Sequence, residues 1–241
     1  MNYKNLLLPL LLLLGMISCH KEEPLPEDEF TYPSSKIWAH QVDDTNDVKI
    51  IQNLYDGLEL NLNYSEYQNK LFVCHDLQDT IKNVTFHQWL SSLENPQKNW
   101  YWLDCKNISP QNAKAFASII KQETVFFNIT NKVLVESYSL YSLQIVKKYD
   151  LHVLLGVANF TALPDTLQWY NETASNIATL EPWGISCDYT MFPSLSDSFP
   201  DKKIHFWNTP QTITPSVEQK TIDMENTPNV KVVLVDYTII K

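Results

Sequence analysis

Residues 133–158, VLVESYSLYSLQIVKKYDLHVLLGVA, decide the fold of this chain. Residues 133–137 and 152–158 carry apolar side chains at consecutive positions, which is typical of strands buried on both faces of a parallel sheet. Between them, residues 139–149 carry leucine, isoleucine and valine at helical spacing. The stretch therefore predicts two parallel strands joined by a helix.

The same alternation extends over most of the chain, from residue 37 onward. Two further segments, 109–122 and 165–180, have helical periodicity, and the first begins with Ser109-Pro110, a cap followed by proline. Residues 190–203 contain two prolines and are expected to form a loop. The nine apolar runs are 37–40, 58–62, 71–75, 101–106, 133–137, 152–158, 184–188, 204–208 and 230–236.

The number of strands points to a closed barrel. The runs at 58–62 and 71–75 leave no room for a helix between them, so we expect one of them to be a hairpin arm. Eight strands then remain, and no second domain boundary is visible. The sequence predicts a single-domain α/β fold, a (β/α)8 TIM-type barrel.

The first residues predict export and lipid attachment. Lys4 precedes an apolar run at 6–14 that is too short to span a bilayer, and Cys19 follows small residues in a pattern that resembles a lipobox. We therefore expect residues 1–18 to be a lipoprotein signal peptide, Cys19 to be lipidated, 19–32 to be a flexible acidic tether and 33–241 to be the barrel. The alternative is an ordinary signal peptide with a chance cysteine.

The residues that follow Cys19 suggest where in the cell envelope the protein resides. Lys21-Glu22-Glu23 resembles the signal that sends lipoproteins of the Bacteroidetes to the outer cell surface, although a solvated linker would have the same composition. We expect an outer-membrane lipoprotein of the bacterial cell envelope. Both orientations, periplasmic and surface-exposed, remain open.

Composition excludes several classes of function. The net charge of −10 provides no basic surface for nucleic acid, and only four glycines argue against a glycine-rich phosphate loop. The remaining cysteines, Cys74, Cys105 and Cys187, lie within apolar runs and indicate buried core residues rather than a disulfide framework. We expect a monomer.

Polar residues stand where the predicted strands end, which is where TIM barrels hold their active sites. Within Glu59-Leu60-Asn61 and Asp104-Cys105-Lys106, alternation sends the outer two side chains to the same side of a strand. The polar residues near the strand ends are His40, Glu59, Asn61, His75, Asp76, Asp104, Lys106, Glu136, Asn159, Asp188, Asn208 and Asp236.

The order of these motifs resembles the glycerophosphodiester phosphodiesterases, members of the phospholipase-C-like phosphodiesterase superfamily. The matching segments run from about residue 37 to 237 and are His40, GLELN at 57–61, LFVCHD at 71–76, LDCK at 103–106, VLVESY at 133–138, FWN at 206–208 and VDY at 235–237.

The resemblance implies a divalent cation and a histidine pair. His40 and His75 would be general acid and base, and Lys106 would meet phosphate oxygens. Glu59, Asn61 and Asp104 would bind Ca²⁺ or Mg²⁺, and Glu136 and Trp207 are expected to contact the substrate. Hard oxygen ligands suit these metals, and histidine titrates in the range that proton transfer requires.

The chain departs from the family pattern at two positions. Gln41 and Val42 stand where the family has arginine and glycine, and Asn61 replaces a carboxylate. The leading prediction is a lipid-anchored hydrolase of a small phosphodiester or phospholipid headgroup. One alternative is a degenerate barrel that binds a phosphorylated or glycan ligand without turnover, and another is a metal-free lyase of the phosphatidylinositol type.

Several of these residues also have purely structural interpretations. Lys106 would then pair with a neighbouring carboxylate, and Asp76 would cap the turn after its strand. His87, His152 and His205 belong to no motif and are expected to be ordinary structural residues.

Overall fold

The structure is a computed structural model that describes residues 29–76, 84–159, 166–208 and 214–237. The predicted signal peptide, the lipidation site Cys19 and most of the predicted tether lie outside these residues. None of the helices in the described ranges is both long and apolar enough to cross a membrane.

Nine strands form one sheet, and eight of them close into a parallel ring. The ring runs in the order β1, β2, β4, β5, β6, β7, β8, β9 and back to β1. The TIM-barrel prediction is therefore confirmed. The strands are β1 (Ile37–Ala39), β2 (Gly57–Ser65), β3 (Lys70–Val73), β4 (Trp100–Cys105), β5 (Val133–Ser137), β6 (His152–Gly156), β7 (Gly184–Asp188), β8 (Ile204–Asn208) and β9 (Val230–Val235).

The ninth strand is the predicted hairpin arm. β2 is nine residues long, and its last residues pair antiparallel with β3, from Leu62 opposite Val73 to Ser65 opposite Lys70. The first part of β2 pairs with the barrel strands β1 and β4 instead. The β2–β3 hairpin therefore extends past the carboxyl ends of the neighbouring strands.

The helices lie between the strands, and local sequence explains where they begin. α4 begins as predicted, because the Ser139 hydroxyl accepts a hydrogen bond from the Ser142 backbone N–H. α3 begins at Ala113 rather than near Ser109, since the Ser109 N–H donates to the Asn112 side chain and forms a turn before the helix. The helices are α1 (Thr45–Ile51), α2 (Phe86–Ser92), α3 (Ala113–Phe126), α4 (Leu140–Lys147), α5 (Thr166–Leu180), α6 (Ser194–Ser198) and α7 (Pro215–Asn226).

The predicted loop at 190–203 is partly helical. A 3-10 turn at Tyr189–Met191 and the short helix α6 occupy much of it, and Leu195 of α6 is fully buried. The burial of that side chain explains why this proline-containing segment is ordered into a helix rather than a loop.

Apolar side chains fill the lower half of the barrel, at the amino ends of the strands. Trp38 and Trp102 are fully buried there with Leu134 and Leu154. Gly57 makes room for this layer, because a Cβ atom at this position would lie 1.9 Å from the Trp38 ring. With the interior filled from below, only the carboxyl ends of the strands are left to line an open site.

The lower end of the barrel is closed by residues that the sequence assigned to the tether. Phe30 is only 3% exposed, and its ring packs edge-on against His152 and Trp183 at the starts of β6 and β7. The Tyr32 hydroxyl lies 3.0 Å from Nε2 of His205. Phe30 and Tyr32, which the sequence analysis placed in the tether, therefore pack against the barrel, and the predicted boundary at residue 33 stays a prediction.

Candidate active site

The polar side chains form a layer above the apolar interior. Asn61 of β2, Asp104 of β4 and Glu136 of β5 lie at one register across three neighbouring strands. Side chains at the same register project to the same side of a sheet. Glu59 is two residues before Asn61 and shares its orientation. The Ser186 hydroxyl of β7, two strands along the ring from β5, donates to the buried Glu136, so this side is the interior.

His40 follows β1 and has a carboxyl group near each of its ring nitrogens, but only Asp236 is within hydrogen-bond distance. Its Nδ1 lies 2.8 Å from Oδ1 of Asp236, and its Nε2 lies 3.8 Å from Oε2 of Glu59. A carboxylate accepts, so Nδ1 carries the hydrogen that is donated to Asp236. Burial lowers the pKa of His40, and the hydrogen bond and charge of Asp236 oppose this shift. The neutral ring therefore presents the lone pair of Nε2 to the site.

Glu59 is a buried carboxyl group, 2% exposed, next to this imidazole. The backbone N–H of Gln41 donates to its Oε2 at 2.6 Å. Gln41 reaches this position with a left-handed backbone, at φ 53°. The pKa of Glu59 is raised well above its usual range, mainly by burial and to a smaller extent by repulsion from Asp104. This is the environment of a carboxyl group that would gain from a nearby cation.

Asn61 is paired with a residue that the sequence analysis did not single out. Its backbone N–H and its side-chain amide donate to the two oxygens of Asp43, at 2.9 and 2.8 Å. Its own Oδ1 is buried and has no hydrogen-bond partner among the described residues. Asp43 lies in the loop three residues after His40. The only feature of the sequence that could have identified it is that an acidic residue stands shortly after the end of β1.

Asp104 and Lys106 form an ion pair at the mouth, with Lys106 Nζ 2.5 Å from Asp104 Oδ2. Burial disfavours the Lys106 ammonium, but attraction to Asp104, Glu59 and Glu136 outweighs it and raises the pKa of Lys106. The pairing is the one that the structural interpretation of Lys106 predicted. It also places a permanent positive charge beside the carboxylates.

Glu136 has both oxygens occupied by protein donors. Trp102 Nε1 donates to one at 2.6 Å and the Ser186 hydroxyl donates to the other at 2.5 Å. Burial, with repulsion from Asp104, raises the pKa of Glu136 to about 8. The side chain is 3% exposed, so it lies beneath the mouth, and its expected contact with substrate stays a prediction.

Two aromatic rings form one wall of the mouth. Trp207 is partly buried, and its ring meets that of Tyr138 edge-on with centroids 6.4 Å apart. Tyr138 is 59% exposed and lies over Gly156, where a Cβ atom would come within 3.1 Å of the tyrosine ring. Trp207 also packs against the apolar interior of the barrel, and its expected contact with substrate stays a prediction.

The second histidine is more open. The His75 side chain is 52% exposed, and its Nδ1 lies 3.1 Å from Oδ2 of Asp76. An electrostatic interaction with Asp43 connects it to the rest of the site. Asp43 also attracts His40 electrostatically, so the charge of one carboxylate acts on both histidines.

The predicted metal ligands provide oxygen donors only. No three or more His, Cys, Asp or Glu side chains in the described part of the chain are grouped so that they would hold a metal ion. The implied donors are instead two carboxylates and an amide, Glu59, Asp104 and Asn61. The unpartnered buried oxygen of Asn61 is a hard donor of the kind that calcium accepts, so the chemistry of the donors fits Ca²⁺ or Mg²⁺.

The fold matches that of solved phosphodiesterases. A glycerophosphodiester phosphodiesterase from Parabacteroides distasonis superposes with a TM-score of 0.64 at 13% identity, covering 86% of this chain and 94% of that one. An Oleispira antarctica phosphodiesterase, solved with the product sn-glycerol-3-phosphate, gives 0.62 at 13% identity and the same coverage. The resemblance inferred from the motifs is confirmed for the fold.

The fold is not restricted to enzymes. A glycerol uptake operon antiterminator regulatory protein from Listeria monocytogenes gives a TM-score of 0.55 at 10% identity, covering 88% of this chain and 97% of that one. No protein-family model and no curated protein sequence matches the chain. The fold alone therefore does not determine the function, which depends on the side chains of the site.

Proposed function

We propose that this chain is a phosphodiester hydrolase of the glycerophosphodiester phosphodiesterase type. One observation carries the proposal. His40, oriented by Asp236, stands against Glu59 in a layer that also contains the Asp104–Lys106 pair, at the carboxyl ends of a barrel that solved phosphodiesterases share.

Two histidines divide the proton transfers in this proposal. A hydroxyl of the substrate attacks the phosphorus and loses its proton to Nε2 of His40, whose Nδ1–H is fixed on Asp236. His75 gives a proton to the leaving alkoxide oxygen as its bond to phosphorus breaks, which leaves a cyclic phosphodiester. Water then attacks the phosphorus and loses a proton to His75, while His40 returns its proton to the original hydroxyl oxygen as that bond to phosphorus breaks. Asp236 favours the imidazolium form of His40 through its hydrogen bond and its negative charge, and Asp43 adds a smaller attraction.

The charge on the phosphate is balanced by positive groups. Lys106 supplies one permanent charge at the mouth. Glu59, Asn61 and Asp104 would hold Ca²⁺ or Mg²⁺, which neutralises charge that builds on the non-bridging oxygens of a phosphodiester. Gln41 provides no second charge, because its backbone N–H is bound to Glu59 and its side chain is neutral.

We also propose that the mature chain is an outer-membrane lipoprotein of the bacterial cell envelope, attached through Cys19. The support is the sequence pattern of residues 1–19. Mass spectrometry of the N-terminal peptide from the membrane fraction tests this part separately from activity.

The experiment for the hydrolase is turnover of a soluble diester, such as glycerophosphoethanolamine, by the full chain in Ca²⁺, in Mg²⁺ and in EDTA. His40→Asn and His75→Asn should each reduce kcat/KM by about 10² or more. His87→Asn is the matched control, because His87 pairs with Glu123 outside the mouth and should leave the rate unchanged.

Each outcome of that experiment decides a separate point. A folded protein that cleaves no diester while binding a phosphorylated ligand would overturn the hydrolase and favour the non-catalytic barrel. Turnover that EDTA does not change would overturn the cation and favour the metal-free histidine chemistry. Loss of turnover in EDTA with recovery in Ca²⁺ or Mg²⁺ is the expected result.

A further inference from the structure

The short helix after β7 leaves a groove on the outside of the barrel. α6 has five residues and extends about 7 Å, whereas α5 has fifteen and extends about 22 Å. A cavity of about 630 Å³ lies between the second half of α5 and residues 198–202, which lead from α6 to β8. This cavity, the α5 groove, has the size of a small-molecule site.

The α5 groove is separate from the candidate active site. α5 follows β6 and returns along the outside of the barrel toward the amino ends of the strands, so its second half lies in the lower part of the outer layer. His40 and Asp104 lie inside the ring of strands, at the carboxyl ends. A ligand in the α5 groove would therefore leave the mouth open.

One face of α5 forms the floor of the groove. Tyr170, Ala174, Ile177, Ala178 and Glu181 all line it and recur at the spacing of a single helix face. The two alanines leave room between the larger side chains at the two ends. This room alone selects no ligand, and the class of ligand follows from Tyr170 at one end and Glu181 at the other.

At the first end, Tyr170 is held in place by two buried rings. The rings of Tyr170 and Phe199 are parallel to within 10°, with centroids 5.3 Å apart. Phe199 is 6% exposed and packs edge-on against Trp169, whose Nε1 donates to the Ala158 carbonyl at 2.8 Å. Tyr170 itself is 40% exposed, so much of its other face is open. The protein thus presents a flat aromatic surface that loses little entropy when a ligand covers it.

The charged side chains around the groove are paired with each other. Lys202 Nζ lies 2.8 Å from Oδ2 of Asp201, and Lys147 Nζ lies 3.9 Å from Oε2 of Glu181. Glu181 follows α5 with a left-handed backbone, at φ 48°, where glycine is the usual residue. A carboxylate can accept about four hydrogen bonds, so Glu181 and Asp201 keep free acceptor positions although their charges are balanced.

We propose that the α5 groove binds a neutral saccharide, with a sugar ring stacked on Tyr170 and sugar hydroxyls bonded to Glu181 and Asp201. The C–H groups on one face of a pyranose ring carry a slight positive charge, and they pack against the negative face of an aromatic ring. The hydroxyl groups of the same sugar donate to carboxylates in charge-assisted hydrogen bonds.

Two other classes of ligand match these side chains less well. An anionic ligand would be repelled by Glu181 and Asp201, because Lys202 is already neutralised by Asp201. An acyl chain or an apolar helix would cover the charged pairs without offering them hydrogen bonds, which carries a desolvation cost. Sugar hydroxyls instead replace the water that these groups bind.

The experiment titrates the full chain with maltohexaose, cellohexaose, mannohexaose and the hexamer of N-acetylglucosamine in a calorimeter. At least one should bind with a dissociation constant of about 1 mM or below. Tyr170→Ala should weaken that binding by about tenfold or more, whereas Tyr170→Phe keeps the ring and should stay within about twofold. Tyr141→Ala is the matched control, because Tyr141 is 69% exposed on α4 and does not line the groove.

A second variant tests the groove without removing the aromatic ring. Ala178 is exposed on the floor, so Ala178→Trp should fill the groove, leave the melting temperature nearly unchanged and abolish saccharide binding. If Tyr170→Ala lowers the melting temperature, Ala178→Trp decides. Binding of none of the four oligosaccharides, or binding that the indole at position 178 does not weaken, would overturn the proposal.

Saccharide binding and diester hydrolysis can fail separately. Tyr170→Ala and Ala178→Trp should both cleave glycerophosphoethanolamine at the original rate, because neither residue lies at the mouth. Saccharide binding by a chain that cleaves no diester would leave the α5 groove standing and remove the hydrolase. Diester cleavage by a chain that binds no saccharide would do the reverse.

Discussion

Nδ1 of His40 lies 2.8 Å from Oδ1 of Asp236, across 196 residues of chain. Closure of the barrel creates this contact. β1 pairs with β9 in parallel, with Ala39 opposite Val235, so the residues that follow each strand become neighbours. The first and last strands of the fold thus bring together the imidazole and the carboxylate that orients it.

Asp236→Asn should reduce kcat of the proposed diester hydrolysis by about 10² to 10⁴, because an amide can accept from Nδ1–H or donate to Nδ1 and so no longer fixes one tautomer. The rate on glycerophosphoethanolamine is the measurement. Asp236 is 56% exposed at its side chain, so the melting temperature should change little. Full activity in this variant would show that the contact has no part in the reaction.

The pH dependence of kcat/KM should reflect the shifted pKa of His40. Burial lowers the pKa of His40 below 6.5, so the neutral ring persists into more acidic solution and the acid limb should lie below pH 6.5. Asp236 opposes that shift, so Asp236→Asn should move the acid limb to still lower pH. An acid limb above pH 6.5, or a shift to higher pH in the variant, would contradict this assignment.

The sequence predicted most of the fold because its strands carry apolar residues at consecutive positions. The spacing between 58–62 and 71–75 also identified the β2–β3 hairpin correctly. Phe30 and Tyr32 were missed, because single aromatic residues within an acidic, proline-containing stretch do not form a periodic pattern. Only the packed rings at the lower end of the barrel give them a role.

The candidate site was predictable only in part. The alternation of Asp104 and Lys106 placed both on one side of β4, and the structure joins them directly. The partnership of Asn61 with Asp43 was not predictable, because Asp43 lies in a loop whose path depends on neighbouring strands. Asp236 was likewise predicted to lie near the end of a strand, but its contact with His40 could not be predicted, because it depends on how the first and last strands pair.

Asn61→Asp should increase calcium affinity by at least tenfold, because a carboxylate is a stronger ligand than an amide. Without calcium the new carboxylate would face the oxygens of Asp43, which now accept two hydrogen bonds from Asn61, and the protein should melt at a lower temperature. Calorimetric titration with calcium and thermal melts with and without EDTA measure both effects.

The matched control exchanges the two groups. Asp43→Asn combined with Asn61→Asp keeps one carboxylate and one amide in contact but moves the charge onto β2. This double variant should bind calcium more tightly than the original chain without the melting penalty of the single variant. Unchanged calcium binding in both variants would show that position 61 does not hold a cation.

His205 should make the folded state sensitive to acid. Burial lowers the pKa of His205 to about 3, whereas the unfolded chain titrates near the ordinary value of 6.5. Between these values the unfolded state binds the extra proton, so stability is fully present above pH 6.5 and is lost as the pH falls toward 3. Two pH units below 6.5, protonation of this histidine in the unfolded chain lowers the free energy of unfolding by about 2–3 kcal/mol.

His205→Gln tests this directly, since glutamine can still accept from the Tyr32 hydroxyl and donate to the Ile185 carbonyl. At pH 7 the free energy of unfolding of the variant should be about 1–3 kcal/mol lower, because glutamine packs less well than the imidazole. Between pH 6.5 and 4 its free energy of unfolding should fall less steeply than that of the original chain, because about one proton fewer is bound on unfolding. Urea unfolding at a series of pH values measures the slope. His87→Gln, at a site 49% exposed, is the control and should keep the original slope. An identical slope in His205→Gln would mean that His205 is not neutral inside the folded barrel.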